Sequence, residues 1–197
     1  VVRKVIALLA EGVRDGAAAR AASDYLYTER SGKVSATLNI LSADLQTGTL
    51  VITRNHTTPI FIARDEKIEC LSGESGPIGT ARNIRPAITE INLEDGITIV
   101  VYTDGITFAG SRIGQSLDVC MLLESILEDQ DPSPQEIADT ILNEAIRLDS
   151  GRPNDDMSIV VLQVSPVSPG QIRRMTVRLP VADQFIPRAS PYQENET

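Results

Sequence analysis

Tryptophan is absent from the 197 residues, and only two cysteines and one histidine are present. These scarcities exclude several chemistries. Cys70 and Cys120 lie in apolar surroundings without metal-ligand spacing, which argues against a disulfide scaffold or a zinc site and for reduced thiols in a cytoplasmic protein. His56 has no second histidine or cysteine with which to share a metal. No stretch approaches the apolar length of a bilayer span, and no signal peptide is read. A glycine-rich lysine loop for a nucleotide and a Ser-His-Asp arrangement are both missing. Positive charge is short as well: the net charge of -9 argues against a nucleic-acid surface. It suits a cation-attracting protein, although general solubility accounts for it equally well.

What the chain does have is a near-continuous β-branched run, Gly96-Ile-Thr-Ile-Val-Val-Tyr-Thr-Asp-Gly105, read as a buried strand that ends on a carboxylate. The glycine behind Asp104 lets the backbone turn while the oxygens face a cleft. A second unit repeats the theme in reverse. Asn154-Asp155-Asp156-Met157 leads into an apolar strand over residues 158–164, so its carboxylates stand at a strand entrance. In adjacent antiparallel strands an exit and an entrance share one edge, which brings Asp104 and Asp155 to one place.

Residues 1–9 read as a further strand, delivering the chain to the acidic turn Glu11-Gly12-Val13-Arg14-Asp15-Gly16. Because the chain opens inside this run, the domain is expected to lack N-terminal strands. An alanine-rich helix follows over residues 17–29. Residues 34–43 and 48–53 form a hairpin around Asp44-Leu-Gln-Thr-Gly48, and residues 59–63, 67–71 and 87–93 supply three more strands. The turn holding His56 suits a structural or exposed histidine as well as proton transfer. Two core-packing helices cover residues 117–127 and 134–148, the second opened by a capping box at Ser133, Pro134 and Glu136. One domain spans residues 1–180, with a weak final strand over 172–180, and a flexible tail spans 181–197.

Carboxylates at Glu11, Asp104 and Asp155 form an oxygen-only set that suits Mg²⁺ or Mn²⁺. A pair of such ions activates water and neutralises phosphate oxygens in an in-line displacement. Phosphatases with an aspartate nucleophile two residues before a second aspartate are excluded, because Tyr102 occupies that earlier position.

The ordered set resembles a known family. Tyr102-Thr103-Asp104-Gly105-Ile106-Thr107, a two-helix spacer and Asn154-Asp155-Asp156-Met157-Ser158-Ile159-Val160-Val161 resemble metal-dependent protein serine/threonine phosphatases of type 2C, the PPM family. More narrowly they are similar to the bacterial branch named after sporulation stage II protein E. Asn55-His56 followed by Pro59 resembles that branch's Gly-His-x-Pro-Pro turn, and Gly76-Pro-Ile-Gly79 its Pro-Leu-Gly element. Glu11-Gly12-Val13-Arg14-Asp15-Gly16 stands where the family has Asp-Gly-x-Gly-His-Gly.

The resemblance covers most of residues 1–164 and implies an α+β fold. That fold is a four-layer α-β-β-α sandwich of two mainly antiparallel sheets, with a two-metal cleft at one sheet edge. It implies Mn²⁺ or Mg²⁺ held by Glu11, the Gly12 carbonyl, Asp104 and Asp155. Arg14, Asp15, Asp156 and His56 would be neighbours of the ions or of the substrate. Arg14 either pairs with Glu11 or receives a phosphate oxygen. The implied activity is hydrolysis of phosphoserine or phosphothreonine on a signalling partner resembling an anti-sigma-factor antagonist. Glu11 in place of aspartate, and the missing counterpart of an upstream aspartate, support a second expectation, a catalytically degenerate regulatory module. A third is a structural domain whose acidic tips only cap helices and turns.

Overall fold

Among the described residues, seven strands form two antiparallel sheets, and their alternation decides which faces meet. The computed structural model describes residues 1–64, 67–73, 75–129 and 132–166. Strands β1 (Leu38–Asp44), β2 (Thr49–Asn55) and β5 (Ala87–Asn92) pair in the order β1-β2-β5. Strands β3 (Ile60–Arg64), β4 (Lys67–Leu71), β6 (Thr98–Tyr102) and β7 (Ile159–Gln163) pair as β4-β3-β6-β7. Leu50 and Ile52 from the first sheet and Ile60, Ile62, Ile97 and Ile99 from the second make one buried cluster between the sheets. The intervening residues Phe61, Val100 and Tyr102 face the other way, as the two-residue period of a strand requires. They pack under α4 (Val119–Asp129) and α5 (Pro134–Leu148) through Leu123, Ile137, Ile141 and Ala145. The free face of the first sheet is covered by α1 (Val2–Ala10) and α2 (Asp15–Arg30), where Val5, Ala19 and Ala22 meet Ile40. The layers are thus helix, sheet, sheet, helix, the α+β sandwich expected from the sequence.

Local signals hold where chemistry is strong. The Asp44 carboxylate accepts the Gln46 and Thr47 amides and closes the β1–β2 turn. The Ser133–Glu136 capping box opens α5, with both of its reciprocal bonds formed. Small residues let α2 lie close to its sheet, with Ala18, Ala19, Ala22 and Ser23 fully buried. Among the described residues, no helix is long and apolar enough to cross a membrane. The strand expected over 172–180 and the tail over 181–197 lie outside the described residues.

One element is corrected. Residues 1–9 are not a strand: Val2–Ala10 is helix α1. Val5 and Leu9 stand one helical turn apart and pack on α2's alanines, whereas Val2 and Ile6, at the border of the same stripe, are exposed. That is a period near 3.6, which a run of nine mainly apolar residues does not distinguish from a buried strand by composition.

Candidate metal and phosphate site

Three turns meet at one edge of the second sheet. Tyr102 at the end of β6 pairs with Ile159 at the start of β7. Phe61 of β3 pairs with Val100, so β3 also begins at that edge. The chain therefore leaves β6 through Thr103-Asp104, enters β7 from Asp155-Asp156-Met157-Ser158, and enters β3 from His56-Thr57-Thr58-Pro59, all on the same side. Tyr102 is anchored there by stacking on Phe61, ring centroids 6.1 Å apart.

Thr103 joins two of these turns. Its N–H donates to the Ser158 carbonyl at 3.0 Å. Its hydroxyl donates to the Asp156 carbonyl at 3.1 Å and accepts the Ser158 N–H at 2.9 Å. Asp104 opens the short helix α3 (Asp104–Thr107). Gly105 lies so close to the other turn that an added Cβ would stand 2.5 Å from the Asp156 carbonyl oxygen. One oxygen of Asp155 accepts the Asp156 N–H at 2.8 Å. The loop is also held from behind. Asp149, just past α5, accepts the Gly110 N–H at 2.8 Å on one oxygen and the Asn154 N–H at 3.2 Å on the other.

His56 is buried, and its Nδ1 accepts the Thr58 N–H at 2.6 Å. The neutral ring accordingly carries its proton on Nε2, 3.5 Å from the Thr58 hydroxyl. Burial pushes the His56 pKa below its ordinary value, against a weaker upward pull from the Asp104 carboxylate. The histidine turn is thus within electrostatic reach of Asp104. Protonation is disfavoured in the fold, so this stabilisation is complete above the unfolded value near 6.5 and declines as pH falls below it. We expect the thermal midpoint to drop as pH falls below about 6.5, and His56→Gln to flatten that slope. An unchanged slope in the variant would assign the acid sensitivity elsewhere.

Gly76-Pro-Ile-Gly79 reaches the same neighbourhood. The Gly76 carbonyl accepts from Asn55 Nδ2 at 3.3 Å, next to His56. Ile78 forms an isolated bridge with Ala36, and the Gly79 N–H donates to Ser23 Oγ of α2 at 2.9 Å.

Glu11, Gly12, Arg14 and Asp15 occupy a different kind of turn from the one expected. Glu11 is the exposed C-cap of α1, and Gly12, at φ 78°, is the left-handed residue that ends it. Val13 N–H bonds to the Leu8 carbonyl and Gly12 N–H to Leu9, the paired pattern of a glycine-closed helix. Arg14 is the N-cap of α2, and Asp15 lies in its first turn, where a carboxylate suits the helix dipole. The premise of a strand tip at Glu11 falls with the strand. Among the described residues, no three His, Cys, Asp or Glu side chains gather into a metal-holding group. Neither Glu11 nor Asp156 completes such a group with Asp104 and Asp155.

Asp104 and Asp155-Asp156 sit on two turns whose backbones approach closely, and their carboxylates are hard oxygen donors. Their chemistry fits Mg²⁺ or Mn²⁺, as part of a ligand set. Sequence reading missed Thr103 and Asp149. Asp149 carried one signal, an acid placed at a helix C-terminus, where the dipole disfavours negative charge.

Comparisons with known proteins bear on the family and the fold. The profile of the family described as stage II sporulation protein E (SpoIIE) matches residues 2–165. Stage II sporulation protein E of Bacillus subtilis (strain 168) is 28% identical over 163 residues, covering 82% of this chain and 19% of that protein. The chain thus spans about a fifth of the length of this curated relative. The solved PP2C phosphatase domain of SpoIIE from Bacillus subtilis, with a fragment of its regulatory domain, superposes with a TM-score of 0.71 at 23% identity. It covers 85% of this chain and 49% of that one. The catalytic domain of the serine/threonine protein phosphatase PstP, solved with two manganese ions, superposes with a TM-score of 0.59 at 16% identity. It covers 83% of this chain and 80% of that one. At these identities the structural likeness establishes the fold, that of a PP2C-type phosphatase domain.

Proposed function

Because the chain belongs to the stage II sporulation protein E (SpoIIE) family, we propose that it is a metal-dependent phosphatase acting on phosphoserine or phosphothreonine of a signalling protein. The observation that carries this reading is the meeting of Asp104, Asp155-Asp156 and the His56 turn at one sheet edge. Asp104 and Asp155 would hold the cation, Mn²⁺ or Mg²⁺. When bound, the cation supplies an activated water and neutralises phosphate oxygens.

The chain's own residues set the geometry. Thr103 locks the Asp104 turn to the Asp155 turn through hydrogen bonds from its N–H and its hydroxyl. The neutral His56 ring orders the third turn beside Asp104 without adding a positive charge that would compete with a cation. Asp156 offers a second carboxylate for an ion or for ordering water. The partner, by the same resemblance, is a phosphorylated regulator like an anti-sigma-factor antagonist, met in the cytoplasm.

The test is hydrolysis of p-nitrophenyl phosphate and of a phosphoserine peptide with Mn²⁺, repeated with chelator. Metal-dependent turnover of both is expected. Folded protein, carrying any residues that precede Val1 naturally, that binds Mn²⁺ but releases no phosphate would place the chain among non-catalytic phosphatase-fold modules. Failure to bind any divalent cation would leave the acidic turns a purely structural role.

A further inference from the structure

We infer that Asp149 is a positioning residue that sets the distance between the Asp104 turn and the Asp155 loop. This inference rests on the metal-dependent reading proposed above. Asp149 is 7% exposed and stands at the C-terminal end of α5. Burial and the helix dipole both disfavour a charged acid there, so its presence requires strong compensating partners. The partners are two backbone N–H groups, one on each oxygen. Charge-assisted bonds of this kind are stronger than neutral ones and directional.

What matters is where the two N–H groups belong. Gly110 follows α3, the helix that Asp104 opens, and lies six positions after Asp104. Asn154 immediately precedes Asp155. One rigid carboxylate thus spans the two segments that carry the candidate ligands. On the opposite side Thr103 ties the same segments through Asp156 and Ser158. The loop from Asn154 to Ser158 is held at both ends, with Asp155 between the two fixings. A longer contact, Arg112 Nη1 to the Arg152 carbonyl at 3.4 Å, follows the same path. Gly110 leaves little slack: at φ 81°, an added Cβ would lie 3.2 Å from Gln115 Cβ and 3.3 Å from Leu148 Cβ. Releasing the Asp149 carboxylate would therefore free the Asp155 side of the site while α3 stayed packed.

Asp149→Asn keeps the shape but turns one acceptor into an NH₂ donor, which must face one of the two N–H groups. Asn154→Pro removes a single donor from an exposed residue and leaves α5 and Asp149 intact, so it carries the test if Asp149→Asn does not fold. Mn²⁺ binding is followed by electron paramagnetic resonance, aryl phosphate turnover is measured across Mn²⁺ concentration, and thermal midpoints are recorded for each protein. We expect Mn²⁺ affinity to fall about 10- to 100-fold, the range seen when supporting partners of metal ligands are removed. Turnover should recover as Mn²⁺ is raised. Unchanged Mn²⁺ affinity in a folded variant would overturn the inference. So would a loss of turnover that tracks the thermal midpoint and resists added Mn²⁺, since that describes a merely structural residue. Wild-type protein that binds no Mn²⁺ would overturn the metal-dependent reading and this inference with it.

Discussion

Asp104→Asn is expected to lower Mn²⁺-dependent hydrolysis by more than about 100-fold while leaving the thermal midpoint nearly unchanged. Removing a partner of a metal ligand already costs about 10- to 100-fold, so loss of a ligand itself should exceed that range. Asparagine matches aspartate in volume, and Asp104 makes its recorded fold contact through the backbone, its carbonyl accepting the Phe108 N–H at 2.9 Å. The substitution removes charge without opening a cavity. Glu11→Gln is the paired control. Glu11 is the exposed C-cap of α1, so turnover and Mn²⁺ response should stay within about twofold of wild type, as expected of a surface change. Equal losses in the two variants would return Glu11 to the site. Full activity in Asp104→Asn would remove Asp104 from it.

That contrast also marks where sequence reasoning was strong. The adjacency of the turns that carry Asp104 and Asp155 was legible because it needs only strand direction. An apolar run ending on a carboxylate and another beginning on one must share an edge if the strands are antiparallel neighbours, and Tyr102 pairs with Ile159. The hairpin at Asp44, the capping box at Ser133 and the small face of α2 were legible for the same reason, since each is settled by neighbouring residues.

The strand-tip reading of Glu11 failed because it depended on the element before it. Residues 1–9 are apolar enough for either period, and the deciding contacts, Val5 and Leu9 against Ala19 and Ala22, come from a helix ten or more residues away. Once α1 is helical, Glu11-Gly12 is a helix stop. Glycine signals a left-handed residue at both a strand-end loop and a helix end, so the dipeptide alone does not choose. His56 was ambiguous for a related reason. Its turn has no chemical mark of its neighbour, and its place near Asp104 follows from β3 pairing with the sequence-distant β6 as well as with its neighbour β4. Asp149 was hidden by its partners, because both are backbone N–H groups that any sequence would offer.

Gly105→Ala gives the second large effect, because the close approach it would violate is to backbone. The new Cβ would lie 2.5 Å from the Asp156 carbonyl oxygen, 3.0 Å from its carbon and 3.4 Å from the Asp155 carbonyl oxygen. A side chain in the way would rotate aside; a peptide group held by Thr103 must move as a unit. Gly105 does not have a positive φ, so alanine gains about 0.5–1 kcal/mol from its helical preference in α3. Overpacking costs about 1–3 kcal/mol and outweighs that gain. The net destabilisation of about 0.5–2 kcal/mol corresponds to a fall of a few degrees in the thermal midpoint for a unit of this size. Activity should suffer more. Displacing the Asp155 loop by even about 1 Å is enough to cost about 100-fold where reacting groups must be aligned. The measurement is turnover at saturating Mn²⁺ beside the thermal midpoint, at a temperature where both proteins are folded. A loss of turnover far beyond the loss of stability is the expected result. Wild-type turnover with a lowered midpoint would mean that the strand ends yield together and that the contact serves packing alone.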